Sequence, residues 1–246
     1  MITFVQNNTT IQNILVNTTF VSETLPLVFC SIFHKKIGTK YLKVFFVYAG
    51  FLAFFSVSSL ISVNFIKSPS LYAGIIKAYV ICEYCLFSLF FYNIFLGIVP
   101  KRIIIFSIIP FLIIAIYDYY LLNKTVFRSN VPIIEFLAFI IFIVYFFYER
   151  MKYVVTYPLY QTITFWISVG LFLYFTGNFF FLIFKKTSSD THLKNQMGII
   201  YSLVTISKNI ILSSAFFANE VPENQEEEFS IPANLDLDDF SGKNIN

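Results

Sequence analysis

Charge is scarce in this sequence. Asp, Glu, Lys and Arg make up 13% of its 246 residues, about half of what a soluble domain carries. The hydrophobic share is 57%, with 33 Phe and 16 Tyr, and the mean hydropathy is +0.74. A soluble fold of this length has no interior large enough to hide so much apolar surface. The composition points to a polytopic membrane protein, which gives that surface to lipid.

Other shortages narrow the function. The three Cys, Cys30, Cys82 and Cys85, all lie in apolar stretches, so no disulfide framework is expected. Cys82 and Cys85 form a C-x-x-C pair in ICEYCLFS, but a structural zinc site needs about four ligands. The two His, His34 and His192, belong to loops on opposite membrane faces in the topology derived below. No metal set assembles, the thiols read as small packing groups, and no cofactor is expected. With eight Gly there is no phosphate loop or dinucleotide fingerprint, and G-x-S-x-G and H-E-x-x-H are missing too. The chain therefore reads as non-enzymatic. One Trp is a poor supply for a retinal cage, and Val204 stands four residues before Lys208, where microbial retinal proteins keep an Asp.

What is present is a set of long apolar runs. Seven segments reach the roughly 20 residues a bilayer requires, at about 11–33, 44–66, 73–96, 103–122, 131–148, 162–184 and 197–218. They predict an all-α, seven-transmembrane helix bundle over residues 1–219, joined by short loops. The first segment is interrupted by Asn13, Asn17, Thr18, Thr19, Ser22 and Glu23, so neighbours are expected to shelter it. Pro26 and Pro110 are expected to kink the first and fourth helices. No Lys or Arg precedes the first apolar run, so that run is expected to remain as a span rather than be cleaved.

The formal charge of +3 hides an asymmetry. Residues 1–219 hold 16 Lys/Arg against 6 Asp/Glu, whereas residues 220–246 hold one Lys against 8 Asp/Glu. The basic residues sit in short loops and form no nucleic-acid face. Placing the N-terminus outside puts nine Lys/Arg in cytoplasmic segments and six in outer loops. The expected orientation is N-out, C-in, with a disordered acidic tail over 220–246 in the cytoplasm. Usage rich in Ile, Phe, Asn and Lys and poor in Ala is that of an AT-rich bacterial genome. A bacterial inner membrane is expected.

Polar groups deep in a span are the best functional leads, since a charge at the bilayer centre costs about 2.5–3.5 kcal/mol on insertion scales. Glu23, Glu83 and Lys208 lie 10–12 residues into spans one, three and seven. At 1.5 Å per residue that is roughly 15–18 Å deep for all three. They form either a proton-coupled or ligand-binding centre or a buried ion pair that fixes packing. Tyr201, Thr205, Lys208 and Asn209 share one stripe of span seven, and Trp166, Gly170, Tyr174, Gly177 and Asn178 share one of span six. These stripes read either as packing with interhelical hydrogen bonds or as an outward-opening pocket between the two spans, with Glu135 at its rim.

SETLPLVFC at 22–30, ICEYCLFSLFFYN at 81–93, FWISVGLFLYFTGNFFFLIF at 165–184 and IIYSLVTISKNIILSSAF at 199–216 resemble a group of uncharacterised seven-helix membrane proteins of Bacteroidota-type bacteria. The most specific part is Phe165, Trp166, Ile167, Gly170, Tyr174, Gly177 and Asn178. The resemblance covers most of the membrane body and not the tail. It implies a stand-alone sensor or accessory module of two-component signalling, and it supplies no catalytic residues. Members often carry a His on helix three or seven, and this sequence has none there. The function expected is a non-enzymatic sensor or signalling accessory, its partners the lipid bilayer and a cytoplasmic or membrane signalling protein met by the acidic tail. The alternative is a small proton-coupled transporter built on the Glu/Lys centre. A lipid-acting membrane enzyme is a weaker third.

Overall fold

The computed structural model describes residues 10–126, 128–152, 158–187 and 191–218, and the acidic tail, 220–246, lies outside them. Within these residues the chain is helical and has no strand. Seven helices are long and apolar enough to cross a membrane, at Ile14–Ile32, Lys40–Ile61, Pro69–Ile94, Ile98–Leu121, Val131–Lys152, Ile163–Phe184 and Gln196–Phe217. The chain is thus a multi-pass helix bundle. Large apolar side chains such as Val47, Phe54, Phe106, Ile141 and Leu203 stand exposed around it, a belt that a soluble monomer does not carry.

The first span is two helices, α1 (Thr10–Ser22) and α2 (Leu25–Ile32). Pro26 has no amide hydrogen to give the Ser22 carbonyl, so the helix breaks at Glu23 and Thr24. The polar residues that interrupt this span largely satisfy themselves. Thr18, Thr19, Ser22 and Thr24 each donate a hydroxyl to a carbonyl three or four residues back, at 2.7–2.9 Å. Pro110, in contrast, lies inside an unbroken helix, α5 (Ile98–Ile116).

Spans two and three are α3 (Lys40–Ile61) and α4 (Pro69–Ile94). Both start about four residues before the apolar runs do. In α4 the reason is local: Ser68 Oγ accepts the Leu71 N–H at 3.3 Å, and Pro69 brings a preset φ to the first turn, where no donor is needed. The start of α5 is capped from another helix, for Glu149 of α6 (Val131–Lys152) accepts the Leu96 and Gly97 amides at 3.0 and 2.9 Å. Short π-helical turns, Ser62–Ile66 and Tyr117–Leu121, finish spans two and four.

Each span packs on its predecessor, and span seven, α8 (Thr191–Ser214), closes the ring onto span one. Span four is peripheral. Spans three and five touch behind it, and α5 buries only Pro100, Ile104, Phe111 and Ala115. The tightest pairing joins α7 (Ile163–Thr187) to α8. A Cβ on Gly177 would come within 2.8 Å of Val204, and one on Gly170 within 3.2 Å of Ile211. Glycine at these two positions leaves room for the Val204 and Ile211 side chains of α8.

Candidate functional site

The ring encloses a cavity of about 170 Å³ in the half of the bundle nearer the N-terminus, lined from every span except the fourth. Its floor is aromatic. Phe87, Phe139 and Phe175 meet pairwise at centroid distances of 5.7, 5.6 and 4.8 Å, and Tyr48 packs on Phe87 at 4.3 Å. Such ring pairs add about 0.5–1.5 kcal/mol each beyond area burial. None of the four lines the cavity; each lies one turn or less beyond a residue that does.

Glu83 sits where wall meets floor. Tyr79, one turn earlier on α4, donates its hydroxyl to Glu83 Oε1 at 2.6 Å, and Tyr48 donates to the same oxygen at 3.3 Å. Lys208, buried on α8, donates from Nζ to Tyr48 Oη at 3.2 Å. The ammonium lies 4.2 Å from the centre of the Tyr174 ring. Lys208 and Glu83 are thus joined through a phenol rather than in direct contact. Among the described residues the one ion pair is Lys124–Asp118, at 3.0 Å, beyond the end of the cavity. Hydrogen bonds to charged groups contribute about 1.5–3 kcal/mol each, which offsets part of the cost of burying both charges.

Glu23, half-buried at the break in span one, lines the cavity with Ser56 beside its carboxyl. Asn209 does not line it. Its Nδ2 donates to Ser22 Oγ at 2.9 Å and ties span seven to span one.

Glu135 and Asn178 differ from these. Both are buried and both line the cavity. Neither carboxylate oxygen of Glu135 and neither amide atom of Asn178 has a hydrogen-bond partner among the described residues. A buried polar group left so costs about 1–3 kcal/mol, and more if charged. Tyr72, Tyr174, Tyr201 and Ser202 add to the polar lining.

The structure therefore gathers Glu23, Glu83, Glu135, Tyr174, Asn178 and Tyr201 around one cavity, with Lys208 behind its floor. Trp166 stands apart. It is 38% exposed, its Nε1 donates to the Tyr160 carbonyl at 2.8 Å, and it lies at the opposite end of span six. The cavity is also not a cleft between spans six and seven, because Gly170 and Gly177 let those helices close on each other. It lies inside the ring.

Two residues that sequence reasoning passed over are central, Tyr48 and Tyr79. Tyr79 was findable, since it stands four residues before Glu83 on one helix face. Tyr48 was not, because the apolar run around it, 44–66, carries no charge and nothing in it points to a partner on α4 or α8. Cys82 and Cys85 are half-buried and unpaired, Cys30 is buried, and the described residues hold no group of three metal-ligating side chains.

No protein-family model matches this chain, and no curated protein or solved structure matches it. The function has to be argued from the cavity itself.

Proposed function

We propose that the protein is a non-enzymatic sensor or signalling accessory module that binds a small ligand inside its seven-span ring. The observation that carries this reading is a cavity inside the ring whose walls present unpartnered polar groups, Glu135 and Asn178. The Phe87–Phe139–Phe175 layer packs one turn or less beyond its lining. Unpartnered buried groups facing a preformed, mostly apolar hollow are what a ligand site offers before it is filled. A layer of packed rings beyond the hollow suits binding and report rather than passage.

The loop charges support an N-out, C-in placement in a bacterial inner membrane. In that placement the cavity faces outward and the acidic segment 220–246 meets a signalling protein on the cytoplasmic side. Purification from native membranes in mild detergent tests both halves. The expected result is a small molecule that co-purifies and is lost when Ser202→Phe fills the cavity, and a protein partner lost when residues 220–246 are deleted. No co-purifying molecule, together with no effect of either change on any cellular phenotype, would remove the reading.

A second reading has one specific observation behind it. The Lys208–Tyr48–Glu83 chain of hydrogen bonds is a proton path of the kind a small coupled transporter uses. It requires proton-dependent flux in proteoliposomes that Glu83→Gln abolishes. Flux unchanged by that substitution excludes it.

A further inference from the structure

We infer that the cavity selects a small lipophilic ammonium ion, an amine on a phenyl-sized apolar body, with Glu135 and Asn178 receiving its N–H donors. The inference rests on the ligand-binding reading above and names the ligand's chemistry.

Charge comes first. Three carboxylates, Glu23, Glu83 and Glu135, line the cavity, and among the described residues no Lys or Arg does. The Lys208 ammonium is engaged with Tyr48 and the Tyr174 ring and is not part of the lining. Occupancy comes next. Glu83 already accepts from two phenols, whereas both oxygens of Glu135 stand unpartnered and fully buried. An ammonium ion beside Glu135 would hold its carboxyl ionised, and an ionised carboxylate only accepts hydrogen bonds, so the fitting guest is a charged donor, which makes the stronger bond.

Asn178 is the independent observation. It comes from a different span, it is buried, and its amide oxygen and nitrogen are both without partners among the described residues. Its oxygen can take a second N–H from the same ammonium. The remaining walls are mostly apolar and aromatic, with Val80, Phe136, Phe181 and Leu182 among them. They suit a hydrocarbon body, and aromatic faces also attract a cation.

Size and ligand number set the rest. About 170 Å³ is slightly more than the engineered cavity of about 150 Å³ that holds benzene. A phenyl ring on a short aminoalkyl chain fits that space. A bare divalent cation is less well served, because it asks for about six oxygens and no three His, Cys, Asp or Glu cluster among the described residues.

The test uses the full-length protein in mild detergent and titration calorimetry with two probes of nearly equal shape, phenethylammonium chloride and 2-phenylethanol. The expected result is that the ammonium binds at least about 10-fold more tightly than the alcohol, the scale of one charge-assisted bond. Glu135→Gln then abolishes most of that preference. Asn178→Leu, a second variant should Glu135→Gln misfold, weakens the ammonium more than the alcohol. Equal affinity for the two probes, or a preference that survives Glu135→Gln, overturns the inference. If the alcohol binds and the ammonium does not, cation selectivity is refuted while the ligand cavity stands. If neither probe binds, the inference fails, and co-purification against Ser202→Phe decides separately whether the cavity holds a ligand of another class.

Discussion

The Lys208 ammonium rests 4.2 Å from the centre of the Tyr174 ring. A lysine buried in the middle of a helix bundle is held here by an aromatic face and a phenol, with no carboxylate in contact. Desolvated cation–π contacts contribute about 2 kcal/mol. Tyr174→Leu is expected to lower stability by about that amount, and Tyr174→Phe, which keeps the ring, by clearly less. Thermal unfolding of the purified protein separates the two, and equal losses would show that the ring face contributes nothing.

Tyr48 bridges the two opposite charges, so its hydroxyl has two jobs. Tyr48→Phe is expected to cost about 1.5–3 kcal/mol for the lost charged hydrogen bonds. Lys208→Met should cost more, about 3–5 kcal/mol, because it leaves Glu83 buried without a cation. Combining it with Glu83→Gln should restore part of the loss. A double-mutant cycle with no coupling would mean that the bridge does not join the two charges energetically.

The α7–α8 contact makes a geometric demand at one atom. A Cβ at position 177 would lie 2.8 Å from Val204, so Gly177→Ala should destabilise by about 1–3 kcal/mol. The pair Gly177→Ala and Val204→Ala should recover much of that. Failure of the second change to rescue would place the strain elsewhere.

Lys36, in the turn after span one, donates to the carbonyls of Phe216 and Ala218 at 2.9 and 2.8 Å. It thereby satisfies orphan carbonyls at the end of span seven. Lys36→Met is expected to speed amide hydrogen exchange around residues 215–218 and to leave exchange in α4 unchanged. Uniform exchange in both variants would show that the clasp does not hold that end.

The seven spans were legible because lipid demands long unbroken apolar runs, and those are visible in any window. Their starts were less so. Pro69 opens its helix through capping by Ser68 and a preset backbone rather than hydropathy, and Gly97 owes its place before α5 to a carboxylate on α6. Counting turns put Glu23, Glu83 and Lys208 at one expected depth. Which phenol stands between two of them did not follow from that count, since it depends on how three helices are rotated about their axes. Asn209 read as part of the same polar centre, yet it turns toward Ser22 instead. Trp166 shared a stripe with Tyr174 and Asn178, but its height along span six sets it at the other end.

Span four stands outside the wall that encloses the cavity, and this makes it the least constrained part of the bundle. Ile103, Ile105, Phe106, Ile109 and Ile113 face outward, where lipid asks only that a side chain be apolar. Ile104, Phe111 and Ala115 face inward, and Phe111 stacks on Tyr84 at 3.7 Å. A saturation-mutagenesis map of this span should therefore read as a barcode. Outward positions should exchange Ile, Leu, Val and Phe freely, while the three inward ones hold to a single size.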